Sequence, residues 1–216
     1  MNTAIIVAAG SGTRFGSDIP KQFVKIAGLP LIEHTLEKFE TCPSVDEIVL
    51  VLAAEEISDY RSNISKLRKV VAGGATRAQS VRNGLAVATG EIVAVHDGAR
   101  PLVTVEEIER TIEMAAKTGA ACLVAEVSDT IKHIEGSEII RTVDRTKLRR
   151  ALTPQAFKAD ILQRAFDEFG ADESATDECY LVEKLGVPIA CVEGSSRNIK
   201  VTRQEDLVFV EEFLRQ

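Results

Sequence analysis

A chain of 216 residues, 45% hydrophobic and 27% charged, has the composition of a folded globular protein and the length of one domain rather than two. Thirty-three acidic against 26 basic side chains give a net charge of -7, which argues against an extended duplex-binding face and confines any anion site to a local patch. The longest apolar run, Ile48 to Ala54, falls far short of the roughly 20 residues of a membrane helix, and Met1-Asn2-Thr3 places no basic stretch ahead of a signal segment; the expectation is a soluble, cytoplasmic protein with no membrane and no nucleic-acid partner.

Short apolar runs alternate with amphipathic stretches along the whole chain, uninterrupted by repeats or linkers. In order, a strand at Ala4–Ala9 meets a glycine-rich turn, a helix over Leu31–Glu40 precedes a strand at Glu47–Leu52, and a helix over Ile57–Lys66 precedes a strand at Lys69–Val71. A helix over Arg77–Ala88, a strand at Ile92–His96, a helix over Glu106–Lys117 and a strand at Ala121–Val127 follow. Helices at Asp160–Phe169 and Asp177–Leu185, a strand at Ile189–Val192 and a helix at Gln204–Leu214 complete the pattern. Such alternation predicts an α/β fold, a mixed but mostly parallel sheet with helices on both faces.

Punctuation supports several boundaries. Thr104-x-x-Glu107 and Thr202-x-x-Glu205 have capping-box spacing, and Gly119 and Gly186 suit helix stops. Thr130–Glu135 and Glu138–Val143 are strand-like runs joined at Gly136-Ser137, which predicts a hairpin arm over residues 129–148. With Ile131, Ile134, Ile139 and Ile140 on it, the arm predicts a second subunit as its cover. Cys42, Cys122, Cys179 and Cys191 lack C-x-x-C spacing, and with Cys122, Cys179 and Cys191 in apolar-periodic segments they are expected to be reduced core thiols. His34, His96 and His133 lie too far apart in sequence to propose a metal cage.

Three loops carry chemistry. Ala8-Ala9-Gly10-Ser11-Gly12-Thr13-Arg14-Phe15-Gly16 follows the first strand, where open α/β sheets bind ligands, and its backbone amides suit an anion. Neither the dinucleotide nor the Walker pattern fits it: Phe15 stands at the third glycine position, and no Gly-Lys-Ser/Thr follows. Arg14 on the turn and Lys21 after Pro20 add a planar fork and a point charge for phosphate oxygens. Gly73-Gly74-Ala75-Thr76-Arg77-Ala78-Gln79-Ser80 opens a helix with Thr76 as its cap, offering backbone groups and the Ser80 hydroxyl to a base edge. His96-Asp97-Gly98-Ala99-Arg100-Pro101 sets a carboxylate at a strand end, where phosphate-bound Mg²⁺ finds an oxygen ligand directly or through water; His96 reads as a packed residue rather than a base.

Together with Pro20-Lys21-Gln22, Thr142-Val143-Asp144-Arg145, Leu152-Thr153-Pro154-Gln155, Thr176-Asp177-Glu178 and Asn198-Ile199-Lys200-Val201-Thr202, these strings resemble the 2-C-methyl-D-erythritol 4-phosphate cytidylyltransferases in order over nearly the whole chain. The resemblance implies a Rossmann-like nucleotidyltransferase domain over residues 1–216, a homodimer through the hairpin arm, and CTP and methylerythritol phosphate as substrates with Mg²⁺ bound alongside CTP. It assigns Arg14 and Lys21 to transition-state stabilisation, and Ala8, Ala9, Gly10, Ser11, Gly12, Gly74, Ala75, Arg77 and Ser80 to the nucleotide. Arg145, reaching across from the neighbouring subunit, with Lys200, Asp97, Arg100, Thr130 and Thr153, falls to the acceptor, and Asp97 also to the metal region. Val7, Ala75 and Gly98 depart from common family residues; the first two meet ligand through backbone, and Gly98 is expected to add flexibility.

A phosphate monoester has a second pKa near 6, so the acceptor is already mostly ionised at neutral pH and direct in-line attack on the α-phosphorus needs no strong base. A relative acting on another polyol phosphate, such as ribitol 5-phosphate, is the alternative, and a non-catalytic nucleotide-binding regulator is a more distant one.

Overall fold

The computed structural model describes residues 1–10, 12, 15–16, 19–171 and 175–215. Strand β1 (Asn2–Val7) lies at the centre of a seven-stranded sheet because Ala4, Ile5 and Ile6 are apolar on both faces, as a doubly covered strand requires. Beside it run β4 (Glu47–Leu52), buried along its whole length, and then β5 (Leu67–Ala72). On its other side lie β6 (Ile92–Asp97), β10 (Arg149–Lys158), β7 (Ala120–Glu126) and β11 (Ala190–Glu193). Only β10 among these is antiparallel, pairing Ala156 with Ala94 on one side and with Ala121 on the other. Two short strands, β2 (Lys25–Ile26) and β3 (Leu29–Pro30), form a separate ribbon.

Alternate strand residues feed two cores. Ile6, Leu50 and Ala94 meet α1 (Leu31–Thr41) and α3 (Val105–Thr118) through Leu36, Phe39, Ile108 and Ile112. Ile5, Val49 and Val95 meet α2 (Arg77–Leu85), α4 (Ala159–Phe169) and α5 (Glu178–Lys184) through Val81, Phe166 and Leu181. A third cluster of Phe15, Leu31, Ala99, Val201 and Val210 docks α6 (Glu205–Leu214) over the sheet's carboxyl end. The Thr104 capping box and the Gly119 stop form as the spacing predicts, with Gly119 at φ 96°. No helix among the described residues is long and apolar enough to cross a membrane.

The structure corrects three expectations and adds one strand for which the sequence pattern gave no reading. Residues 57–66 are not helical: a 3₁₀ turn at Ala54–Glu56 gives way to irregular chain. There Tyr60 and Ser62 donate to Glu33, and the Lys66 amide donates to Glu40; α1 carboxylates take the hydrogen bonds a helix would need, in a stretch rich in competing Ser, Asp and Asn. Strand β10 is masked in the sequence by Pro154, which a register shift between Ala151 and Gln155 accommodates. Thr202 and Glu205 form no capping box; the carboxylate of Asp206 instead accepts from the amides of Thr202 and Arg203. Cys191 is exposed because β11 is an edge strand, whereas Cys42, Cys122 and Cys179 are buried thiols.

The arm forms as β8 (Ile131–Glu135) paired with β9 (Glu138–Val143), with Gly136 at φ 57° in its turn. Ile134, Ile139 and Ile140 stand 59%, 65% and 48% exposed on it, an apolar surface left uncovered within one chain.

Candidate active site

The chain runs from β1 outward to β4 and β5, then returns through α2 to β6 on the opposite side of β1. This makes the carboxyl ends of β1 and β6 a topological switch point. A cavity of about 500 Å³ opens there. Ala8, Ala9, Gly10 and Gly12 line it from the first turn, Gly74, Ala75, Arg77 and Ser80 from the second, and Asp97 from the third. Lys21 and Lys200 reach the same space. Thus eleven residues expected at the site converge from segments spread along the chain. Ser11 and Arg14 lie outside the described residues.

Each cation is held by a specific contact. Lys21 follows Pro20 on a 3₁₀ turn, and its Nζ donates to the Val201 carbonyl at 2.9 Å. The neighbouring Gln22, 3% exposed, fixes that turn by donating to both carboxylate oxygens of Glu56. Lys200, one residue before Val201, places Nζ 2.9 Å from Asp97 Oδ2.

Asp97 is the electrostatic centre. Oδ1 accepts from Arg77 Nε at 3.1 Å, and Oδ2 faces Arg100 Nε at 3.3 Å as well as Lys200. Burial alone would raise its pKa, but the charges of Arg77, Lys200 and Arg100 outweigh burial and hold the carboxyl well below the usual range. Arg77 also donates to Glu178 Oε1 at 2.6 Å. In the sequence Glu178 is only part of a string; the i to i+101 pairing that gives it meaning exists only in the fold. Burial lifts its pKa despite Arg77.

The remaining expected residues divide. Arg100 backs the site, bridging Asp97 and the Asn198 carbonyl. Thr153 is buried behind it, where Oγ1 accepts from the Asp97 amide at 3.1 Å and sits 3.0 Å from His96 Nδ1. His96 is fully buried against Phe39, and burial lowers its pKa to about 3, so it packs as expected and is uncharged near neutrality. Arg145 and Thr130 stand on the arm, exposed and outside the cavity of their own chain.

The second loop is more self-contained than its composition suggests. Thr76 caps α2 by accepting from the Gln79 amide, Ser80 Oγ accepts from the Gly74 amide, and Gln79 Oε1 accepts from the Ala75 amide. Gly98 supplies close packing rather than flexibility: a Cβ there would lie 2.7 Å from Ile32 Cδ1 and 3.0 Å from Ala8 Cβ.

Among the described residues, no group of three His, Cys, Asp or Glu side chains could hold a metal ion. Among the described residues that line the cavity, Asp97 is the carboxylate that could take one position on a cation otherwise held by phosphate oxygens and water, as Mg²⁺ usually is, although both its oxygens already face Arg77, Arg100 and Lys200. The chemistry the cavity offers is capture of phosphate groups by Lys21, Lys200 and Arg77 and by glycine-turn backbone.

The sequence model of the 2-C-methyl-D-erythritol 4-phosphate cytidylyltransferase family matches residues 2–216. Proteins of that name from Syntrophus aciditrophicus and Geobacillus thermodenitrificans are 42% and 41% identical, covering 99% and 98% of this chain and 95% and 96% of their own lengths. The crystal structure of the Thermus thermophilus protein of the same name superposes with a TM-score of 0.81 at 32% identity, over 98% of each chain.

Proposed function

This chain belongs to the 2-C-methyl-D-erythritol 4-phosphate cytidylyltransferase family, and on that premise we propose that its cavity joins CTP to 2-C-methyl-D-erythritol 4-phosphate, releasing pyrophosphate and the cytidine diphosphate alcohol used in isoprenoid precursor synthesis. The observation that carries this reading is the convergence of Lys21, Lys200, Arg77 and Asp97 with two glycine-containing turns in one cavity at the switch point. Such a site suits a reaction whose barrier is the approach of two polyanions and the charge developing on the leaving group.

In this reading the first turn and Lys21 face the triphosphate, joined by Arg14 on the family resemblance. Gly74, Ala75 and Ser80 face the base and Arg77 turns its charge toward the nucleotide's phosphates, while Lys200 and the Asp97 region face the acceptor. The acceptor phosphate is the nucleophile and already carries its charge; its oxygen forms the new bond to the α-phosphorus as the bond to the β-phosphate oxygen breaks. Asp97 is the carboxylate that would meet a Mg²⁺ ion bound with CTP, and such an ion would supply neutralisation of phosphate charge. Arg145 and Thr130 complete the acceptor end of a partner's cavity, a geometry favoured by their distance from their own cavity and by the apolar arm that carries them. This reading includes action in the cytoplasm, as the resemblance implies.

The test supplies CTP and Mg²⁺ with either methylerythritol phosphate or ribitol 5-phosphate and measures pyrophosphate release. Turnover at least ten times faster with methylerythritol phosphate is expected, as is loss of activity on chelating the metal. Equal rates, or a preference for ribitol 5-phosphate, would move the protein to the polyol-phosphate alternative.

A further inference from the structure

Glu178 is a charged group to which the proposed reaction gives no task. It opens α5 with a side chain only 1% exposed; Oε1 meets Arg77, while Oε2 is buried with no hydrogen-bond partner among the described residues. A carboxylate buried for stability alone would have both oxygens satisfied, because a desolvated acceptor without a donor is costly. Its partner is instead a guanidinium that lines the cavity and is shared with Asp97.

Arg77 carries five N–H donors, of which Nε–H goes to Asp97 and one NH1 hydrogen to Glu178. Clamped between two carboxylates, the guanidinium keeps one orientation, and its 25% exposed side chain presents its charge to the cavity. The charge count is equally pointed. Around Asp97, Arg77, Arg100 and Lys200 contribute three positive charges against its one negative, leaving two in excess, and Lys21 adds a third in the cavity; Glu178 lowers that excess from three to two.

We propose that Glu178 is a positioning residue for the transfer, acting through Arg77: it fixes the guanidinium and trims the cavity's positive charge, so that pyrophosphate is bound firmly enough to leave from an aligned triphosphate yet weakly enough to depart. The inference rests on the cytidylyl-transfer reading of the cavity but concerns a residue that touches no substrate.

The test pairs E178Q, which keeps shape and an acceptor but removes the charge, with E178D, which keeps the charge but draws it back by one methylene. Inorganic pyrophosphate is titrated calorimetrically into each protein and into wild type, and kcat and the KM for CTP are measured alongside. E178Q is expected to bind pyrophosphate about threefold to tenfold more tightly, with lowered KM and lowered kcat, since one more uncompensated charge faces the anion. E178D is expected to keep wild-type pyrophosphate affinity while losing kcat, and it decides the matter alone if E178Q fails to fold. Unchanged or weaker pyrophosphate binding in folded E178Q, or weakened binding in E178D, would overturn the proposal. A merely structural role would weaken binding and turnover together. Pyrophosphate titration needs no turnover, so wild type that binds it yet transfers to no acceptor would refute the reaction, not the role of Glu178.

Discussion

The ammonium of Lys21 is held by a carbonyl 180 positions later in the chain, and the next residue, Gln22, is tied to Glu56. A charge fixed in this way meets the transition state without reorganising, and removing one such preorganised group typically costs about 10² or more in rate. Lys21→Ala is therefore expected to lower kcat for pyrophosphate release by about that factor while leaving the thermal midpoint within a few degrees of wild type. His96 gives a prediction of the opposite kind, on stability alone. Its folded pKa, about 3, lies below the unfolded value near 6.5, so the unfolded chain binds the proton first as pH falls. Stability from this residue is complete above pH 6.5 and drains away toward pH 3; the carboxyl of Asp97, also depressed, adds a loss in the same direction at the acid end. Denaturant midpoints measured between pH 7 and 5 should fall, and the slope should flatten in His96→Gln. At this scale the cations and Asp97 were legible as residue types beside glycine turns, but the Arg77–Glu178 pair was not, because nothing local marks two residues 101 positions apart as partners.

Elements whose boundaries depend on their own residues read correctly: the fully buried β4, the α3 capping box and the hairpin at Gly136 all follow from period, cap and turn chemistry. Elements decided by distant partners did not. Residues 57–66 have helical periodicity, yet Glu33 and Glu40 of α1 satisfy that stretch from the side, and β10 forms across a proline only because two neighbouring strands complete its ladder. The second glycine loop belongs to the same class. A Cβ on Gly73 would lie 2.3 Å from Ala9 Cβ and 2.9 Å from Ser80 Oγ, so this glycine lets β5's exit pack against β1's turn. Gly73→Ala should force those turns apart, costing about 1–3 kcal/mol of stability and raising the KM for CTP, read by denaturation and steady-state kinetics. Melting and kinetics indistinguishable from wild type would mean the two turns are not rigidly coupled.

For the whole molecule, the sheet and its two cores account for one end of the proposed reaction, the nucleotide end, while Arg145 and Thr130 sit on an arm that one chain leaves in solvent. An uncovered ribbon bearing Ile134, Ile139 and Ile140 favours association, and Ile139→Glu should shift the molecular mass measured by sedimentation from dimer to monomer, with loss of turnover. The central claim, that each working cavity combines one protomer's Lys21 with its partner's Arg145, is tested by subunit complementation. Lys21→Ala and Arg145→Ala proteins, each nearly inactive, are dissociated, mixed in equal amounts, reassociated and assayed for pyrophosphate release. Half the dimers should be mixed and each should hold one intact site, restoring on the order of a quarter of wild-type activity. Activity no greater than the average of the two separate variants would contradict the shared site.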